Sequence, residues 1–396
     1  MALTVSSLRH RHRAQALELL VYSGPLSRSS LGDRLELSSG AVTNVVEDLI
    51  SDGLVVEQGS QPTRGRPISM LSPNHGAASF LGVELGERDV AVELFDLGMN
   101  RLTSVYLELD EERADPTAVG KLVRRAVSNA LETPHGPVQG MGLALPGGVE
   151  TSADGEPILH APSLGWTPVP VSVLMDNQLP VFPENATSVT ALAEQRFNRS
   201  ITSDHFAVAY LGRWVGLGVV INGTLVRGSR GMAGQWGHTT IERGGPICRC
   251  GSRGCLEALI GSDALLAAWV SRGGHPHGSG WDQITQLCES AVAGDEAARE
   301  VVTTSLDTLG LALGNVATLL NPEHLVVSGW VGLRLMHFFP DELADAVRRH
   351  TFAPNGQQLT ISPSSLGGDT TATGAALLPL SNFLRRIETP DPSAAI

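Results

Sequence analysis

The residues best suited to chemistry crowd into one stretch. Positions 246–257 read PICRCGSRGCLE, with His238 just upstream in GQWGH. Three of the chain's four cysteines fall within eight positions of this stretch. Such a cluster could form a disulfide, remain as free thiols, or hold a metal. The opening MALTVSSLRHRHR leads into an amphipathic run without a small-residue cleavage pattern, and no apolar stretch reaches the ~20 residues that span a bilayer. A cytoplasmic protein with no membrane partner is therefore expected. In that reducing compartment a C-x-C-x4-C cluster beside a histidine favours metal over oxidation, and it supplies four good zinc ligands.

Length and charge bound what such a site can serve. A chain of 396 residues exceeds the ~250–300 at which single cores stop growing, so two or three domains are expected. Residues 1–76 hold seven Arg and seven acids and are neutral, so the net charge of −13 belongs to the remainder. An acidic body repels polyanions, and nucleic-acid contact is confined to a local basic surface in the first part.

That first part has the pattern to provide it. Ala14, Leu17, Leu20 and Val21 share one helical face, and the run stops at Ser23-Gly24-Pro25. Ser27 caps a short second helix with Leu31 and Leu35 inward. Ser38 caps a third, whose Val42, Val45, Val46 and Leu49 form an apolar arc ending at Gly53. The opposite arc carries Ser39, Gly40, Thr43, Asn44 and Glu47, small polar residues that allow close approach to a major groove. Leu54–Glu57 and Ile68–Leu71 read as a hairpin whose loop holds Arg64 and Arg66, a wing suited to a narrow minor groove. Arg9, Arg11 and Arg13 are expected at phosphates. Residues 1–75 thus read as a winged helix-turn-helix that binds double-stranded DNA, against the alternative of a protein-interaction module.

From Ser79 the pattern changes to strands. FLGVELGERDVAVELFD and FAVAYLGRWVGLGVVINGTL repeat one plan about 125 residues apart, strand, glycine turn, strand, and helical runs follow each. A duplicated α/β architecture with a cleft between two lobes, roughly 79–190 and 191–396, is expected.

The combination of helix-turn-helix, GRP wing, G-x-x-x-P-G at Gly142–Gly147, G-x-G-x-x-x-N-G at Gly216–Gly223, AGQWGH and C-x-C-G-x-x-G-C-L-E resembles the ROK family of sugar kinases and sugar-responsive repressors. The resemblance implies an actin-like (ribonuclease H-like) fold over residues 76–396 and a homodimer, with a tetramer as the larger option. It also implies one zinc on His238, Cys248, Cys250 and Cys255. Four protein ligands leave no position for an activated water, so that zinc is structural. Asn185, His238 and Glu257 match the family's sugar-hydroxyl positions, while Gln235 and Ser163 stand where the family usually has Glu and Asn. Cys288, on an amphipathic run, reads as core.

Against the family's kinases the chain departs at the reacting groups. The first glycine turn, D-x-G-G-T in the kinases, is Glu84-Leu85-Gly86-Glu87-Arg88 here, and an acid at 87 repels phosphate. The second turn is Gly212-Arg213-Trp214. PENATS at 183–188 places Ala186 where the kinases carry the aspartate that takes the sugar's proton. No catalytic residue is expected. The resulting reading is a sugar-responsive, zinc-containing transcriptional repressor of carbohydrate genes. The rivals are a bifunctional kinase and a regulator governed by a protein partner.

Overall fold

The computed structural model describes residues 5–61, 68–86, 89–109, 115–152, 154–175, 178–367 and 370–389. Arg64 and Arg66 of the wing, and Glu87 and Arg88 of the first glycine turn, lie outside these.

The N-terminal unit runs α1 (Val5–Ser23), β1 (Leu26–Ser27), α2 (Arg28–Leu35), α3 (Ser39–Ser51), β2 (Val55–Gln61) and β3 (Ile68–Pro73), with the strands ordered β1-β3-β2. Ser27 Oγ accepts the Ser30 N–H and Ser38 Oγ accepts the Ala41 N–H, satisfying otherwise orphaned donors at the starts of α2 and α3. Leu17, Leu20, Leu31, Val46 and Leu49 are fully buried. This is a winged helix-turn-helix.

The body holds two five-stranded sheets of the same topology. The first contains β4 (Ser79–Leu85), β5 (Asp89–Asp96), β6 (Arg101–Glu108), then, after α4 (Pro116–Ala130), β7 (Val138–Leu145). A small three-stranded flap of β8 (Gly148–Thr151), β9 (Pro157–His160) and β10 (Val169–Pro170) precedes β11 (Val181–Asn185) and α5 (Ala186–Phe197). The second contains β12 (Phe206–Leu211), β13 (Val215–Ile221) and β14 (Thr224–Leu225). It is followed by α6 (Glu257–Ile260), α7 (Ser262–Val270), α8 (Gly280–Ala293), α9 (Glu296–Leu320), β15 (His324–Ser328), α10 (Gly329–Phe338), α11 (Pro340–His350), α12 (Ala353–Gly356), β16 (Thr360–Pro363) and α13 (Thr370–Glu388). The orders are β6-β5-β4-β7-β11 and β14-β13-β12-β15-β16: three antiparallel strands, then two parallel ones, in each lobe. The repeated strand-turn-strand openings of the sequence mark this internal duplication.

The lobes do not follow one another along the chain as expected. A boundary at 190 falls inside α5, and α13, at the far end, packs on β4 and β7 of the first sheet. A Cβ at Gly142 would collide with the Ala375 carbonyl, and one at Gly374 with the Val189 carbonyl of α5, so α13 can seat this deeply only where side chains are missing.

The N-terminal unit is likewise not set apart on a linker. Its core continues through Phe80 and Leu97 into Leu380 and Leu384 of α13. Helix α5 reaches it too: Phe197 packs edge-on to Tyr22 with centroids 5.9 Å apart, and Arg196 lies over the Tyr22 ring and pairs with Glu18 at 3.0 Å. The arginines of α1 make ion pairs that no local pattern announces. Arg9 holds Asp48 at 2.5 Å, Arg13 holds Asp52, and Arg11 faces Glu388 at 3.8 Å. Residues 9 and 13, and 48 and 52, are each four apart, so the crossing of α1 over α3 pairs them as two rungs. These two rungs fasten α1 to α3.

Candidate functional site

Ser163, Asn185, Gln235, His238 and Glu257 meet in one cavity between the lobes, bordered also by Gly147, Ala186, Thr187 and Trp214. Four elements deliver them, Gln235 and His238 sharing one. Ser163 sits on a 3-10 turn, Pro162–Leu164, after the flap, and His238 on another, Trp236–His238. Asn185 ends β11 and caps α5: its Oδ1 accepts the N–H groups of Thr187 and Ser188, and its Nδ2 donates to the Gly147 carbonyl at 2.5 Å. Glu257 opens α6 with its carboxylate almost wholly buried, accepting the Val215 N–H at 3.1 Å and facing Arg249 at 3.5 Å.

The cavity encloses only about 30 Å³, room for a water or two. A sugar ring enters only if the lobes part. Two ion pairs hold them shut at the flap side: Arg227 on Glu184 at 2.6 Å and Arg230 on Glu150 at 2.7 Å, the latter carboxylate also bonded to His160. Sequence reasoning missed these pairs, whose partners are 43 and 80 residues apart and belong to no motif. They also bear on catalysis. Ala186 is buried at the first turn of α5, and Glu184, the other carboxylate nearby in sequence, is committed to Arg227.

Next to this cavity His238, Cys248, Cys250 and Cys255 place one ligand atom each within 4.8 Å of one another. Cys250 and Cys255 Sγ are 3.7 Å apart, and Cys248 Sγ lies 3.6 Å from His238 Nδ1. A disulfide needs about 2.05 Å, whereas sulfurs on a tetrahedral zinc at about 2.3 Å stand roughly 3.8 Å apart. All four cysteines are free thiols. The donor set therefore fits a metal. Burial pushes the Cys248 thiol up and the Cys255 thiol up to about 12, while Cys250, although burial opposes it, is held below the ordinary thiol value by the Ser252 N–H and the neighbouring thiols. Cys255 is bridged to Thr240 and the next residue, Leu256, donates its N–H to the Thr239 carbonyl, so the loop that carries the thiols also sets Glu257. Cys288 is core, as expected, fully buried with its thiol pushed up to about 12 by burial.

On the N-terminal unit, Ser39, Gly40, Asn44 and Glu47 of α3 are exposed and Thr43 is half-exposed, its hydroxyl turned back to the Ser39 carbonyl. Arg213, of the second glycine turn, pairs with Asp263 at 2.8 Å.

A two-lobed actin-like body fused to a winged helix-turn-helix, with a polar cavity between the lobes and a thiol cluster beside it, defines the class. The ROK family model matches residues 80–381, and the chain belongs to that family. It is 26% identical over 393 residues to the xylose repressor of Caldicellulosiruptor bescii, covering 95% of this chain and 97% of that one. Among solved structures, a ROK family transcriptional regulator, homologous to the Escherichia coli MLC protein, superposes with a TM-score of 0.76 at 25% identity, covering 96% of this chain and 98% of that one. A ROK glucokinase from Streptomyces griseus, in complex with glucose and AMPPNP, superposes with a TM-score of 0.65 at 26% identity, covering 76% of this chain and 98% of that one. The kinase thus matches the body, and the regulator matches nearly the whole chain. No helix among the described residues is long and apolar enough to cross a membrane.

The thiol cluster makes a first prediction. Purified protein will carry one metal ion per chain by native mass spectrometry, and Cys250→Ala will lose both that ion and thermal stability, because the loop loses its main constraint. Full metal occupancy in the variant would show that the ligand set is different.

Proposed function

We propose that this chain is a cytoplasmic, DNA-binding transcriptional repressor of carbohydrate-metabolism genes, in which a degenerate kinase pocket senses a sugar or sugar derivative. The observation that carries this is one helix. Asn185 at the start of α5 borders the pocket, and Arg196 and Phe197 at its end grip α1 of the helix-turn-helix. A pocket that must open to admit a ligand is thereby tied to the DNA-reading unit. The full-length similarity to a xylose repressor supports the same assignment.

The roles follow residue by residue. Ser39, Gly40, Thr43 and Asn44 enter the major groove, and Arg64 and Arg66 of the wing meet the minor groove. Asn185, Gln235, His238, Glu257 and Ser163 hold the effector's hydroxyls. The ion on His238, Cys248, Cys250 and Cys255 is a structural zinc, since four protein ligands close its shell. The protein acts as a homodimer, whose two-fold axis matches a palindromic operator. Phosphoryl transfer is not part of the function: a buried methyl replaces the proton-accepting carboxylate, and Glu184 is held by Arg227.

Two variants separate the halves of this reading. Asn44→Ala will cost about 1–3 kcal/mol of operator affinity and relax base choice in electrophoretic and fluorescence binding assays; equal weakening on all sequences would make it a phosphate contact. Glu257→Ala will bind operator like the parent protein yet fail to release it with an effector found by thermal-shift screening, and ATP will not be consumed in the same mixtures. Release by this variant at the parent's effector concentration would exclude the pocket as the sensor.

A further inference from the structure

A second and larger cavity lies between the lobes. Its volume is about 570 Å³, within the ~300–1,000 Å³ of small-molecule sites, against 30 Å³ for the pocket beside it. Trp214 borders both cavities. One wall is aromatic. Trp214 stacks on Tyr210 with centroids 5.8 Å apart and planes 15° from parallel, Trp330 lies against the bare Cα atoms of Gly212 and Gly280, and Trp281 is exposed at the rim over the Arg334 guanidinium. The facing wall, from the first lobe, brings Glu84, Asp89 and Tyr106.

These groups select among ligand chemistries. A phosphate meets Glu84, Asp89 and Asp263, and the one arginine lining the cavity among the described residues, Arg213, pairs with Asp263. A simple organic cation suits the rings and carboxylates, but it leaves unused the neutral polar side chains of the lining, Ser262, Ser279 and Gln283. A pyranose ring suits all of them. Its C–H face stacks on an aromatic ring, its hydroxyls donate to carboxylates, and its oxygens accept from serine hydroxyls and the glutamine amide.

We infer that this cleft is a second saccharide subsite, continued from the Asn185–His238–Glu257 pocket past Trp214, so that the effector is an oligosaccharide or glycoside of at least two rings. This rests on the sugar-sensing reading above. One ring occupies the polar pocket, and the next lies on the tryptophan wall. Trp281 lines this cleft and not the polar pocket, so it touches only the second ring.

Isothermal titration calorimetry on the full-length protein tests this, with xylose, glucose and N-acetylglucosamine set against their α- and β-linked disaccharides and AMPPNP. At least one disaccharide will bind tenfold or more tightly than its own monosaccharide. Trp281→Ala will reduce that advantage to within twofold, Trp281→Phe will retain it, and Glu257→Ala will weaken both ligands. If monosaccharides bind and no disaccharide gains, or if Trp281→Ala keeps the gain, the second subsite is wrong while the sugar pocket stands. If no sugar of either size binds, both readings fall. AMPPNP binding more tightly than every sugar would make the cleft a nucleotide site and overturn the inference.

Discussion

Helix α5 is the constraint on which the rest of the molecule depends. Its first turn is pinned by Asn185, whose side chain caps the helix and reaches the Gly147 carbonyl of the first lobe. Its last turn meets α1 through a ring contact, a cation over that ring and an ion pair. Its 12 residues span about 18 Å at 1.5 Å per residue. Behind it α13 wedges against the first sheet, so close that Gly142 and Gly374 leave no room for a Cβ. An aromatic pair adds roughly 0.5–1.5 kcal/mol beyond its buried area. That is comparable with the ~1–3 kcal/mol of a typical allosteric coupling, so the Tyr22–Phe197 contact is large enough to carry a useful share of it.

The thiol loop serves the same geometry from the second lobe. It gathers His238 and three thiols and sets Glu257 two residues beyond Cys255, and the buried carboxylate then takes the Val215 N–H of β13. The pocket is thus walled by rigid parts on both sides, and its freedom is concentrated in how the lobes meet. There the Glu184–Arg227 and Glu150–Arg230 pairs favour closure. Arg230 is largely exposed, so its pair is weak enough to be displaced by a ligand, whereas Glu184 is nearly buried and its pair with Arg227 is the firmer of the two.

Much of this was legible in the sequence because it is written locally. Serine caps at 27 and 38, the apolar arc of α3, the repeated strand-turn-strand openings and the cysteine spacing all act over a few residues, and each appears where its pattern placed it. The five candidate pocket residues also converge on one cavity, although they come from segments up to 94 positions apart; motif resemblance, not spacing, brought them together. What the sequence hid is tertiary. Nothing local says that the last helix returns to the first sheet, or that Arg9 and Arg13 would find Asp48 and Asp52. The contact of Phe197 with Tyr22 joins positions whose relation exists only after both lobes and the helix-turn-helix have folded.

If a ligand between the lobes reaches DNA through α5, operator affinity with and without saturating effector will separate the parent protein from Phe197→Ala. The variant will bind operator as the parent does without effector, while the effector-induced loss of affinity falls toward a ratio of one. An unchanged ratio in Phe197→Ala would show that α5 does not carry the coupling.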